Sequence, residues 1–147
     1  MKTLLGVVLV AFSACLDAPA ALTADVSASA TQAAIVGGRA QLVVNVTNTG
    51  PALSHLGLTF MSADKWYERH NVTDLGGCTV EVDHSALDCG DLAAGASATF
   101  SITGTAIEAG TFQYQLALRE LVRPYRFVND HADGADLQTW DEIVAPA

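Results

Sequence analysis

Residues 76–95, GGCTVEVDHSALDCGDLAAG, hold two cysteines and a histidine between glycines. Side chains of these types could ligate a metal, run a redox reaction or form a disulfide. Structural zinc sites place cysteines a few residues apart, and redox sites use the C-x-x-C spacing. Neither spacing is present around Cys78, His84 and Cys89. The segment therefore predicts a disulfide between Cys78 and Cys89, with no metal and no cofactor.

An antiparallel hairpin in which Cys78 faces Cys89 accounts for the residues between them. The predicted register pairs Val80 with Leu87 and Val82 with Ser85, and leaves Asp83 and His84 as a two-residue turn; because no glycine is present there, a slightly longer loop is the alternative. The face that carries the cysteines is then apolar and is predicted to be buried, whereas the opposite face is polar. Closing this ring would stabilise the fold by about 3 kcal/mol on the chain-entropy model.

Two further segments are candidate binding sites. Trp66 and Tyr67 could form an exposed aromatic binding patch, although such residues also cap the core of a β-sandwich. The acidic segment 129–136, NDHADGAD, has the oxygen-rich composition of a calcium loop, but it lacks the EF-hand pattern, so we expect a solvated turn and keep calcium binding as the alternative. The chain has no nucleophile elbow, zinc-protease motif or phosphate loop, so we predict no catalytic residue and no enzyme activity.

The first 24 residues predict a secretory leader. Lys2 precedes an apolar run over residues 4–12, and small residues follow. A bilayer span needs about 20 apolar residues, so this run is too short to be one. The segment VAFSAC resembles a bacterial lipobox, which makes Cys15 a candidate lipidation site and the one predicted link to a membrane; cleavage after Ala20 or Ala24 is the alternative. Either route explains why the chain has an odd number of cysteines, three.

The composition of the chain limits the class of fold and the classes of partner that we expect. A formal net charge of -9 and a pI near 4.5 would repel phosphate backbones, so we predict no nucleic-acid partner. Short apolar runs separated by Gly, Ser, Thr, Asn and Asp predict an all-β protein.

The alternation of apolar and polar residues predicts three rows of side chains that point into the core: Leu42, Val44 and Val46; Ala98, Phe100 and Ile102; Phe112, Tyr114, Leu116 and Leu118. Two later strands are expected at residues 125–129 and 137–144, with Trp140 docked on the sandwich.

Four motifs follow one another in a specific order: VTNTGPA, a GC…C hairpin, LAAGASATFSITGTA and AGTFQYQLAL. Over residues 26–118 this order resembles the bacterial conserved-repeat domain of unknown function numbered eleven and, more loosely, adhesion-related Ig-like modules. The resemblance implies an Ig-like antiparallel β-sandwich of about seven to nine strands in a secreted or cell-surface protein, and it brings no catalytic residue. Unlike a repeat array, the chain holds one copy of these motifs.

These features predict a leader over residues 1–24, an Ig-like sandwich over 25–120 and a C-terminal extension over 121–147 that packs on it. The predicted function is that of an exported, non-catalytic structural or interaction module of the bacterial cell envelope, with a protein or another envelope component as partner. The alternative is an extracellular β-sandwich that binds a small ligand or calcium. That alternative requires the acidic segment, or Trp66 and Tyr67, to form a pocket.

Overall fold

The fold is described from a computed structural model that covers residues 19–147. These residues form twelve strands and one helix of four residues. In chain order the elements are β1 (Ala24–Thr31), β2 (Arg39–Asn48), β3 (Leu56–Phe60), α1 (Trp66–Arg69), β4 (His70–Asp74), β5 (Thr79–Val80), β6 (Ala86–Asp88), β7 (Ser97–Ala106), β8 (Gly110–Glu120), β9 (Arg126–Phe127), β10 (Asp130–His131), β11 (Gly134–Ala135) and β12 (Gln138–Val144). Residues 1–18 of the predicted leader, which include Cys15, lie outside the described residues. Its last residues are described, and they belong to the fold: Leu22 is buried in the core and Ala24 begins β1, so the predicted boundary at residue 24 is too late.

Two antiparallel sheets make up the sandwich. The first sheet has the order β1-β2-β7-β4, and the second has the order β12-β8-β3-β6-β5, with β9 also paired to β8. Immunoglobulin domains of the constant type arrange their strands as A-B-E-D in one sheet and C-F-G in the other. Here β1, β2, β7 and β4 follow the first order, and β3, β8 and β12 follow the second, which confirms the predicted Ig-like sandwich. Four of the twelve strands have only two residues, and the remaining eight match the predicted number.

The core is formed by the alternating strands that the sequence predicts. Leu42 and Val44 on β2 are 0% exposed, and they lie opposite Ile102 and Phe100 of β7. Along β8, Tyr114 is also fully buried. Because side chains alternate between the two faces of a strand, each sheet presents one apolar face to the other and one polar face to solvent.

Residues on both sides of position 120 contribute to the second sheet. β12 pairs with β8 along its whole length, from Gln138 opposite Leu116 to Val144 opposite Gly110. The Trp140 ring packs 5.4 Å from the Tyr114 ring, measured between centroids. β12 is therefore an edge strand of the sandwich, and its Trp140 side chain covers part of the core.

The connection from β1 to β2 crosses between the sheets. Ile35 forms a parallel bridge with Ala145, and the Val36 N–H donates to the Ala145 carbonyl at 3.0 Å. The segment thus covers one end of β12, as the strand-switching A strand does in many Ig-like domains.

We predict that Ile102→Ala lowers the free energy of unfolding by about 2–5 kcal/mol, because the lost methyl groups leave a cavity between the sheets. Ile143→Ala removes the same atoms from a side chain that is 67% exposed, against 0% for Ile102, and should change stability by no more than about 0.5 kcal/mol. Urea unfolding followed by fluorescence measures both. Equal losses in the two variants would contradict this assignment of the core.

Candidate interaction surface

The predicted disulfide is present and joins Cys78 to Cys89, whose Cα atoms are 4.1 Å apart. Thr79 pairs with Asp88 and Val80 pairs with Leu87, so the predicted register of the hairpin is confirmed. The bond therefore closes the base of a hairpin that extends from the edge of the second sheet.

The hairpin ends in the longer loop, which was the alternative to the two-residue turn. The Glu81 N–H donates to the Ala86 carbonyl, and the His84 N–H donates back to the Glu81 carbonyl, so the reversal spans residues 82–85 instead of a two-residue turn. His84 adopts a φ of 58°, in the left-handed region, which lets the longer turn close. Beyond Glu81 the strand pleat ends, and Val82 is 96% exposed. The expectation that Val82 lies on the buried face is wrong for this reason. The same expectation is wrong for Val80, which is 38% exposed because β5 is the outermost strand of its sheet.

A glycine fixes where the hairpin starts. Gly76 has a φ of 65°, and a Cβ atom there would lie 2.8 Å from the backbone of Ser101 on β7. Both the left-handed conformation and the close approach favour glycine. The chain can therefore enter the hairpin directly from contact with the first sheet.

The loop after β8 packs against the hairpin through Tyr125. The Arg119 guanidinium lies 4.5 Å from the centre of the Tyr125 ring and the Arg123 guanidinium lies 5.4 Å from it. The Tyr125 hydroxyl donates to Glu81 Oε1 at 3.5 Å, and Arg119 donates to the Ser85 hydroxyl at 3.3 Å. Cation–π contacts of this kind contribute about 0.5–1 kcal/mol each at exposed sites. Together they hold the loop and the hairpin side by side.

These two segments enclose a shallow cleft of about 360 Å³, lined by Glu81, Val82, Asp83, Arg123 and Tyr125. We call these five residues the hairpin surface. Tyrosine and arginine are enriched in protein-binding hot spots, and the exposed Val82 adds apolar area beside them. Three of the seven basic residues of the chain, Arg119, Arg123 and Arg126, lie in or next to this loop. The hairpin surface itself carries two carboxylates and one arginine, and the other two arginines lie beside it, so both signs of charge meet there.

The carboxylates of the hairpin surface are tuned in opposite directions. Partial burial raises the pKa of Glu81, and the charge of Asp83 raises it further. Hydrogen bonds from the hydroxyl and the N–H of Ser85 lower the pKa of Asp83. Glu81 Oε2 and Arg119 Nε are inaccessible to solvent and lack a hydrogen-bond partner among residues 19–147. Glu81 Oε2 and Arg119 Nε can therefore still form hydrogen bonds beneath the exposed Val82 side chain.

Trp66 and Tyr67 do not form an exposed aromatic patch. Trp66 is 1% exposed and stacks on His70, with the ring centroids 4.0 Å apart. Tyr67 is half-buried, packs edge-on against Phe60 and donates its hydroxyl hydrogen bond to the His84 carbonyl. Burial, the largest cause, and the nearby Glu68 raise the pKa of Tyr67 to about 12. The helical turn α1 places Trp66 inside the sandwich, so this part of the binding-patch hypothesis is wrong, and Tyr67 braces the hairpin instead.

A buried acid–base cluster joins the two sheets, and the sequence analysis missed it. His70 Nε2 on β4 lies 3.0 Å from Glu142 Oε1 on β12, and the two side chains are 0% and 2% exposed. The Tyr114 hydroxyl donates to Glu142 Oε1 at 3.2 Å, and the Ala33 N–H donates to Glu142 Oε2 at 3.3 Å. Burial and, next, the charge of Glu142 raise the pKa of Tyr114. No substrate could reach these groups without opening the sandwich, so we assign the cluster a structural role.

The acidic segment 129–136 folds as a small exposed hairpin, in which β10 pairs with β11. His131 Nε2 lies 2.9 Å from Asp136 Oδ1, while the side chain of Asn129 turns back toward β1. Within residues 19–147 no group of three or more His, Cys, Asp or Glu side chains converges as metal ligands would. The same residues include no helix that is long and apolar enough to cross a membrane.

Comparisons with known proteins give little further information. No family model matches the chain, and no curated protein matches it. Among solved structures it is similar to the Vibrio cholerae VesB protease, with 21% sequence identity and a TM-score of 0.36. The similarity covers 80% of this chain and 31% of the protease chain, so the chain spans less than a third of that protein's length. A likeness this weak transfers no activity to this protein.

We predict that the double variant Cys78→Ser/Cys89→Ser loses about 3 kcal/mol of unfolding free energy, because the open chain gains conformational entropy when it is unfolded. Chemical denaturation of the variant and of the oxidised parent measures the difference. As a control on the parent, alkylation without reduction should leave both residues unmodified in a peptide mass map. Alkylated Cys78 and Cys89 in the unreduced exported protein would contradict the pairing.

We also predict that Glu142→Ala costs about 3–5 kcal/mol, because it leaves the His70 and Tyr114 polar atoms buried without their partner. Asp141→Ala is the matched control, since Asp141 is the preceding residue and is exposed. Replacing the side-chain donors together with the carboxylate, in His70→Phe/Tyr114→Phe/Glu142→Leu, should recover part of the loss, because only the Ala33 N–H then loses its acceptor among these contacts. Equal stability of Glu142→Ala and Asp141→Ala would refute the role given to the cluster.

Proposed function

We propose that the protein is an exported, non-catalytic Ig-like interaction module of the bacterial cell envelope, and that the hairpin surface is its contact site. The observation that carries this proposal is the combination of a disulfide-closed hairpin with an exposed Val82 at its tip. Disulfides persist in oxidising compartments outside the cytoplasm, which supports export. The motifs shared with the conserved-repeat modules favour the same cell-surface setting.

The charges and shape of the hairpin surface define a partner. Val82 offers an apolar contact, Tyr125 offers a rigid ring, and Arg123 offers donors for a carboxylate or a carbonyl. We therefore propose a protein partner that presents an apolar side chain next to an acceptor group. Because Arg123 is exposed, its contribution to the complex should fall as salt screens it.

The non-catalytic part of the proposal is supported by where the acid–base groups lie. His70, Glu142 and Tyr114 resemble a proton-transfer cluster in their contacts, but all three are buried between the sheets. A general acid or base must come within hydrogen-bond reach of its substrate. The polar side chains of the hairpin surface are two carboxylates and one arginine, and they lie on loops, where residues that bind a partner are often found.

We predict that a photo-crosslinking amino acid in place of Val82 forms discrete adducts with a protein partner in intact cells of the native host. The same amino acid in place of Thr99, an exposed residue on the outer face of β7, serves as the control and should form none. Adding Arg123→Glu should reduce the Val82 adducts, whereas Arg39→Glu changes the net charge equally on a distant exposed arginine and should not. Absence of Val82 adducts, or equal adducts from Thr99, would overturn the assignment of this surface.

A further inference from the structure

Among residues 19–147, strand β1 forms one edge of the first sheet and pairs with β2 alone. Its register with β2 is unbroken over eight residues, from Ala24 opposite Asn48 to Thr31 opposite Gln41. In a strand, the N–H and C=O groups of successive residues point to opposite sides. Every second residue of β1 therefore directs its backbone groups away from β2, toward the outside of the sheet.

The contacts of Asn129 show which residues these are. The Ala24 N–H donates to Asn129 Oδ1 at 3.0 Å, and Asn129 Nδ2 donates to the Ala24 carbonyl at 2.8 Å. A neighbouring strand would form the same pair of hydrogen bonds, so the Asn129 amide takes the place of one strand residue. By alternation Val26, Ala28 and Ala30 also point outward, and none of them has a backbone partner on that side within residues 19–147.

Asn129 covers this edge at Ala24, but from Val26 to Ala30 the described residues include none of the features that usually keep sheet edges from pairing. Exposed edges are normally interrupted by a bulge, a proline, a lysine or a covering segment. β4, at the other edge of the same sheet, has a shift in register between Val72 and Asp74, and one end of β12 is covered by the Ile35 bridge. β1 has the sequence ADVSASAT, with no basic residue, no proline and no shift in register.

We propose that a second copy of this chain pairs with β1, antiparallel and centred on Ala28, so that the two first sheets join into one. In this register Ala28 faces Ala28 of the partner subunit, and Val26 faces Ala30 of the partner subunit. All of these residues direct their backbone groups outward. The small alanine side chains at the centre let the two strands approach without steric conflict. The joined edge is independent of the hairpin surface and of the function proposed for it.

The side chains on the outer face are complementary in the same register. Ser27 faces Ser29 of the partner subunit, which brings hydroxyl groups together. Asp25, the one charged residue of β1, faces Thr31 of the partner subunit and not a second carboxylate. No like charges are therefore opposed at the joint, although each copy carries a net charge of -9. Salt should strengthen the association, because it screens this long-range repulsion and leaves the backbone hydrogen bonds intact.

Cysteine crosslinking of the full-length exported chain tests the register. A mixture of Ser27→Cys and Ser29→Cys proteins should form a disulfide-linked dimer under mild oxidation, because directly opposed residues in such a pair lie about 4.5 Å apart between Cα atoms. Each variant alone is the matched control, since Ser27 is displaced from Ser27 of the partner subunit by two residues and should crosslink far less. A mixed dimer no more abundant than the dimers of the single variants overturns the proposal, whether the protein is monomeric or self-associates elsewhere.

Sedimentation velocity tests the energetics. The parent should show a monomer–dimer equilibrium that shifts toward dimer as salt is raised. Ser27→Lys/Ser29→Lys opposes lysines across the joint and should weaken association by about tenfold or more. Thr99→Lys/Ser101→Lys adds the same charges in the same rows of the sheet, two strands away from the edge, and should leave the dimer intact. A parent that stays monomeric at every salt concentration, or equal weakening by both variants, contradicts the proposal. A monomer that instead binds extended peptides at β1 counts against a second copy as the occupant.

Discussion

The disulfide between Cys78 and Cys89 is the constraint on which the proposed contact site depends. Among the strands of the described part of the chain, the hairpin that it closes pairs with the sandwich through the short strand β6, so its outer arm has few interactions of its own. With the base closed, the turn at residues 82–85 is held in place, and Tyr67 and Tyr125 can pack against it through hydrogen bonds to His84 and Glu81. A short ring of this kind removes conformational freedom where a large core is absent.

The sandwich behind the hairpin is joined by a second, less common interaction. The His70–Glu142 pair links β4 of one sheet to β12 of the other in the middle of an apolar core. Removing two such groups from water costs several kcal/mol, and their attraction and hydrogen bonds offset that cost only when the geometry is good. Glu142 accepts from Tyr114 and from the Ala33 backbone as well, so its carboxylate is well supplied with donors. This cluster fixes the alignment of the sheets more specifically than apolar packing would.

Local patterns in the sequence were sufficient to predict the core strands and the disulfide. Alternation along β2 and β8 placed Leu42 and Tyr114 in the core, and the spacing of the cysteines defined the hairpin register, because both depend on near neighbours along the chain. The sequence left open a two-residue turn and a longer loop, because the longer loop needs His84 in the left-handed region and the residue type alone does not predict that conformation. Trp66 was assigned to the surface as one option, yet its burial depends on a tertiary contact with His70. Glu142 could have been found, since alternation along β12 places it on the same face as the inward Trp140 and Val144.

Amide hydrogen exchange, followed by mass spectrometry on the oxidised and the reduced protein, tests most directly whether the disulfide holds the hairpin surface as one unit. The account predicts that reduction accelerates exchange in the hairpin, residues 78–89, and in the packed loop, residues 121–127, while amides of β2, β7 and β8 stay protected. Loss of protection in the hairpin alone would show that the loop does not depend on it. Unchanged exchange in both segments, or uniform loss across the sandwich, would contradict the central claim that this bond organises the contact site.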